Sequence, residues 1–481
     1  MSEFESTRNT RTIVIAIVVI AIVAVGGIAG FLLLGGGGPT TTTDGEGDSI
    51  TILTRHDVAI QSVFEPEFLA SDYAQENSIT DIVWKTPSAE FWDDLIDGGE
   101  IDVCWGGGPT IFDQLMRDDR LSPLTSPLMQ TALARVNDTI AGANMKRNNS
   151  AGDPVWVAAA ISSFGFTVNN AFLDDYDLPT PRKWTDLANA TYGSLLPTIP
   201  TIAMGNAPDT TSNTRIYEIM TQALGWDQGW INMARMAGSA NIYLGSVETQ
   251  AASENGQVGV SMSIDFYGYL TQSKNPDCEY ILPEGQSIVN GDPIAIAHNS
   301  PNPQHAEAFL DWVLTPYGQS LWLDDNILRM PVMREAFDQP LGQQQPKLYS
   351  TFNQTAKTTG IEFNDTLSLI INTAFVSYFE AVFTDSHTQL VDCWQTIVDA
   401  YYGGHIDKTE LDYYAGLMGT PVTIEDPDSG LDRKFTAEYA IEINNDMIYD
   451  SVYAANLQSL WTTAAKAQYN DVRSQVLALL P

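Results

Sequence analysis

Pro154-Val155-Trp156-Val157-Ala158-Ala159-Ala160-Ile161-Ser162-Ser163-Phe164-Gly165-Phe166-Thr167-Val168 carries no charge. A continuous apolar run with β-branched and aromatic residues fits a strand buried on both faces. Working outward, strands and helices alternate around it. Upstream, Ser49–Thr54 reads as a strand, Arg55–Asp57 as a polar loop and Ile79–Lys85 as a second strand. Ala89–Asp97 reads as a helix stopped by Gly98-Gly99, and Ile101–Trp105 as a strand opening into Gly106-Gly107-Gly108-Pro109. Downstream come a strand near Thr198–Ala203, a loop Gly205–Ser212, a helix over about Asn213–Leu224, and strands at Gln257–Ile264 and Gly291–Ala297. Asn302 and Pro303 suit the start of a helix whose apolar stripe is Ala306, Phe309, Leu310, Val313 and Leu314. This rhythm predicts an α/β chain with parallel strands. After about Leu341 the pattern turns helical: Leu367–Phe383, Gln389–Tyr402, Lys408–Leu417 and Tyr439–Ala465.

The chain has 481 residues, which implies more than one folding unit. Its 44% hydrophobic content indicates a globular bulk. A formal net charge of −37 argues against nucleic-acid binding, which needs a basic footprint. It favours cationic or neutral ligands, though salt screens that preference beyond about 8–10 Å. Cys104, Cys278 and Cys393 lie too far apart for a Cys-x-x-Cys site and read as buried free thiols. The five histidines show no metal-ligand spacing, and no nucleophile elbow or Ser-x-x-Lys is present. No cofactor and no catalytic residue is expected. Glu425–Gly430 reads as a solvated acidic turn.

Ile13–Leu34 is an uncharged apolar run, long enough at 1.5 Å per residue to cross a bilayer core of about 30 Å. Arg8 and Arg11 precede it, so the positive-inside bias keeps residues 1–12 in the cytoplasm and puts everything after residue 34 outside. Residues 35–48, rich in Gly and Thr, form a flexible tether. The expected location is the cell membrane, single-pass, with an extracellular C-terminal part.

Several segments together resemble the periplasmic-type substrate-binding proteins of ABC importers, in the two-lobed group similar to ferric-iron-binding proteins. They are Gly165–Asn169 with Leu178, Pro181, Trp184 and Leu187; Ala207–Ser212; Gly225-Trp226 and Gly229-Trp230; and Asn290–Ile296 followed by Pro301-Asn302-Pro303, Ala306, Phe309, Trp312 and Gly318-Gln319. The resemblance covers about 49–340. It implies a two-lobed, type II binding-protein fold with a doubly wound sheet in each lobe. Lobe 1 would be 49–160 and 286–340, lobe 2 161–285, and 341–481 a helical extension. Two chain crossings would form the hinge. The resemblance also implies an importer permease and ATPase as partners.

Ligands of open α/β sheets sit beyond the carboxyl ends of the strands. That rule selects Arg55, His56 and Asp57, and then Trp105, Gly106 and Gly107, whose glycines permit close backbone approach. It also selects Ser162 and Ser163 in the crossing strand, and Asn206, Asp209, Thr210, Thr211 and Ser212 at a helix N-terminus that would favour an anionic group. Asp265 and Tyr267 follow a strand end, and Asp292 lies in the matched segment. The iron-binding relatives present adjacent tyrosines here. This chain has Phe266-Tyr267-Gly268-Tyr269, so the pair is broken, and a small organic solute is expected over a metal. A surface hydrolase using the same cleft, or an adhesive surface protein, are the alternatives.

Overall fold

The computed structural model describes residues 48–87, 91–358 and 360–481. The expected tail, the 13–34 span and nearly all of the tether lie outside the described residues. Among those described, one helical stretch, Asp365–Thr384, is long and apolar enough to cross a membrane, and half of it is buried inside the fold.

The charge-free run forms the strand Pro154–Asn169, buried along all but its first residue. It is the axis of a large mixed sheet. On one side the order is Ile79–Lys85, Asp48–Thr54, Val103–Trp105, Val289–Ile296 and then the long strand; beyond it come Val260–Ile264, Ile202–Gly205 and Ala240–Tyr243. The three outer strands on each side run parallel to one another. The return strand Val289–Ile296 runs antiparallel to the long strand, pairing Val289 with Ser163 and Gly291 with Ile161. Past that point the long strand changes partners. Phe164–Val168 pairs with Val260–Ile264, and Phe166 also with Ile281. One strand thus feeds two sets of parallel strands, as expected of an α/β chain with helical connections.

Side-chain alternation sorts the apolar residues into separate cores. Ile50, Ile52, Val103 and Trp105 join Phe64, Phe309, Trp312 and Trp322 in a first core. Their strand neighbours Leu53 and Cys104 face the other way, against Phe112 and Trp156. A second core gathers Phe166, Trp184, Ile202, Tyr217, Trp230 and Val260. All three cysteines are buried and free.

The helices after Asp365 form no separate extension. Instead Phe375, Tyr378, Phe379, Trp394, Tyr439 and Trp461 belong to the second core, with Tyr378 stacked 3.7 Å from Phe435. The chain therefore crosses between the cores a third time, between Phe352 and Ile371, where the sequence suggested two crossings. Ile361 N–H donates to the Ser287 carbonyl on this path (3.0 Å), and Asp365 pairs with Arg215. The last expected helix is two, Ala437–Tyr449 and Ser451–Leu477. Asp450 breaks them by capping the second, accepting from Val452 and Tyr453 N–H. The acidic turn is not merely solvated either. Burial works to raise the Asp426 carboxyl, but the Tyr439, Ser429 and Tyr453 donors outweigh it and hold it at about 2. That side chain pins the turn to both helices.

Candidate functional site

The first set of expected residues sits where two parallel strands end. Thr54 closes its strand by donating from Oγ1 to the Trp105 carbonyl (2.6 Å). The three residues after it part ways. Arg55 and Asp57 are exposed, whereas His56 turns inward. Asp57 caps the helix Val58–Leu69, its Oδ1 accepting from Ala59 and Ile60 N–H at 3.0 and 3.2 Å. The His56 ring packs edge-on against Trp105 and Trp322, and its Nε2 lies 2.8 Å from Asp292 Oδ2. Gly106 is required at its place. It adopts φ +74°, and a Cβ there would fall 2.2 Å from His56 Nε2. Trp105, expected in the cleft, is a fully buried wall of the first core.

The crossing strands supply the floor. Ser162 Oγ accepts from Arg329 Nη2 (3.0 Å), and Arg329 Nη1 lies 3.2 Å from Asp292 Oδ2. Ser163 donates from both its N–H and its hydroxyl to Asp265 Oδ2, at 2.8 and 3.2 Å. Asp265 was expected to touch solute. It is fully buried and faces the crossing strand instead, while Phe266 and Tyr267 remain partly exposed beside it with rings 4.3 Å apart.

Charge at this floor is set by burial against pairing. Burial drives His56 below its ordinary value, and the nearby Arg329 charge adds to that, so the imidazole is neutral at pH 7 despite Asp292. Burial works to raise Asp292, but Arg329 and His56 outweigh it and hold the carboxyl at about 2. Burial wins at Asp265: against Arg329 and the Ser163 and Phe266 donors it still lifts the carboxyl to about 7. Burial also raises Tyr267, helped by the negative charges of Asp57 and Glu248.

The remaining residues form a second cluster. Thr210 caps the helix Thr211–Leu224 through Asn213 N–H, and Ser212 Oγ lies 2.8 Å from Ser246 Oγ, which also contacts Thr210. Asp209 and Thr211 are exposed at the same loop. Asn206 is taken up by the C-terminal helices: it accepts from the Thr384 hydroxyl (2.6 Å) and reaches Glu380.

Sequence reasoning missed Arg329 and Ser246. The strand-end rule, applied to Ala240–Tyr243, would have reached Ser246. For Arg329 the signal was a lone cation inside Ile327-Leu328-Arg329-Met330-Pro331-Val332-Met333. Among the described residues no three His, Cys, Asp or Glu side chains are placed to hold a metal ion. A cavity of about 1150 Å³ opens beside the floor rather than at it, between Pro109, Asn144, Arg147, Asn290 and the third crossing at Phe363.

Known proteins share this architecture. Residues 101–358 match the family described as bacterial extracellular solute-binding protein. The phosphoglycerate transport regulatory protein PgtC of Salmonella typhimurium is 28% identical over 196 residues, 40% of this chain and 47% of that protein. The chain thus spans about half the length of the curated relatives it matches. Two solved structures share the fold: an ABC transporter protein from Clostridium perfringens (TM-score 0.52, 17% identity, 69% of this chain, 99% of that one) and the spermidine/putrescine substrate-binding protein PotD from Streptococcus pneumoniae (0.51, 14%, 70% and 98%). Strand ends from two halves of one mixed sheet, and a family match over more than half its length, make this chain a member of the bacterial extracellular solute-binding proteins.

Proposed function

We propose that the chain is a membrane-tethered extracellular binding protein that closes two lobes on a small solute and delivers it to an ATP-driven importer. The observation that carries the reading is convergence. His56, just past the carboxyl end of Asp48–Thr54, meets Asp292, 236 residues on in the return strand, and Arg329, paired with that Asp292, lies 5.6 Å from the Phe266 ring just past the carboxyl end of Val260–Ile264, on the second-core side. In this reading lobe 1 is 49–160 with 286–340, lobe 2 is 161–285, and the helical extension 341–481 starts against lobe 1 at Leu348 and Phe352 and packs onto lobe 2 from Ile371 onward. Closure is a hinge motion about the crossing strands. Residues 13–34 are the anchor, residues 35–48 the tether, and the tether keeps the binder near its importer.

Solute would lie between the rims, with Asp57, Arg55 and Gly107 on one side, Thr210 to Ser212 and Asp209 on the other, and Tyr267 between. His56, Ser162, Ser163, Asp265 and Asp292 shape the floor from behind. The reading calls for no chemical step, since both floor carboxylates are already engaged by protein donors. A small organic solute suits the rims better than a metal ion.

A thermal-shift screen of residues 48–481, which carry both cores, tests this. Polyamines and phosphoglycerates, named by the relatives, belong in the panel beside sugars and amino acids. A compound present at 100 times its Kd stabilises by about 2.7 kcal/mol. Stabilisation by one compound without turnover supports the reading. Conversion of that compound to product would sink it, and binding only to glycan or surface protein would favour an adhesive role.

A further inference from the structure

Arg329 lies where the two cores meet and touches both crossing strands. Its Nη1 is 3.2 Å from Asp292 on the return strand, and its Nη2 donates to Ser162 on the long strand at 3.0 Å. Its guanidinium carbon lies 5.6 Å from the centre of the Phe266 ring, at the start of the helix Asp265–Lys274 and against the second core, and 5.5 Å from that of Trp322, in the first core. The residue is 9% exposed, and its Nε has no partner among the described residues.

We infer that Arg329 is a positioning residue for solute capture: one guanidinium, held between Asp292 of the return strand and Ser162 of the long strand and set against Phe266, fixes the crossing strands and the first turn of the helix Asp265–Lys274 in a single arrangement. This rests on the cleft reading above. The titratable groups around Arg329 and its partners are Asp292, His56 and Asp57, then Asp265, and the first-core phenols Tyr269 and Tyr280, of which Tyr280 reaches Ser163 Oγ at 3.1 Å. Burial holds the His56 imidazole below its ordinary value, and it touches Asp292 alone of the two carboxylates. Arg329 is thus the one cation acting on both carboxylates. A guanidinium suits the place better than an ammonium. Its planar fork reaches Asp292 and Ser162 at once, and it lies within cation–π range of Phe266.

Removing the cation leaves two buried carboxylates without compensation. The floor has one way to recover charge, which is to take up a proton on His56 and retain one on Asp265. A residue that only filled space would cause neither.

The test is the histidine NMR titration of the full chain, with amide exchange at Ser163, in Arg329→Met, Arg329→Lys and wild type without any solute. Arg329→Met is expected to move the His56 titration to higher pH and to speed Ser163 exchange at least tenfold, while Arg329→Lys keeps His56 near its wild-type behaviour. A folded Arg329→Met protein with His56 and Ser163 unchanged overturns the inference. Should Arg329→Met fail to fold at pH 7.5, Arg329→Met combined with Asp265→Asn is expected to fold, because one uncompensated carboxylate is gone; failure of that double variant also overturns it. Neither readout needs a solute, so a screen that finds no ligand leaves this result separately decided.

Discussion

Two buried carboxylates hang on the crossing strands, Asp292 through Arg329 to Ser162 and Asp265 on Ser163, and they end in opposite states. Asp292, on the first-core side, has His56 Nε2 and an Arg329 nitrogen within 3.2 Å and accepts from Gly108 N–H, and it is held at about 2. Asp265, on the second-core side, has only the neutral donors of Ser163 and Phe266 close by and senses Arg329 from further away, and it rises to about 7. Burial costs both groups; what separates them is a direct cation. The first side of the floor is therefore a fixed ion pair. The second carries a proton that neutral pH can remove, at the first residue of the helix that presents Phe266 and Tyr267.

The comparison breaks most completely at Asp292. Asp292→Asn leaves Arg329 buried without its nearest counter-charge and should cost about 3–5 kcal/mol, read as a lower midpoint in urea with unchanged slope. Gly106→Ala should come next, at about 2–3 kcal/mol. It adds a methyl against the His56 ring at a positive φ, and thermal unfolding checks it. Asp265→Asn sharpens the comparison through pH. The folded state raises this group, so it binds the proton more tightly than the unfolded chain. Its contribution to stability is full below about pH 4 and is lost as pH rises through about 7. Asp265→Asn should remove that decline, so that the variant matches the wild type at pH 5 and exceeds it at pH 8. An unchanged decline between those pH values would show that another group causes it. The smallest effect belongs to the rim: Asp57→Ala should cost about 1 kcal/mol through the lost helix cap and should also weaken solute binding.

The axis of the fold was legible because a charge-free run of this length has few other uses. Strand and helix alternation then placed the loops, and the strand-end rule found most of the rim. What could not be read was direction. In Arg55-His56-Asp57 three polar residues follow one strand, and only contact with Asp292, 236 residues on, decides that His56 turns inward. Asn206 looked like a binding residue until Thr384 and Glu380, from helices beyond the resemblance, claimed its amide. Arg329 belongs to no pattern, since its meaning comes from strands it meets only after folding. The same long-range pairing explains why the third crossing was invisible: Asp365 is an ordinary helix-start residue until Arg215 finds it.

The central claim is that solute is captured by closing one core onto the other across this floor. Small-angle scattering of residues 48–481, with and without the compound that most raises the melting temperature in the screen, tests it most directly. The account predicts a smaller radius of gyration with the compound bound. A compound that stabilises the protein and saturates it while the radius stays the same would contradict it.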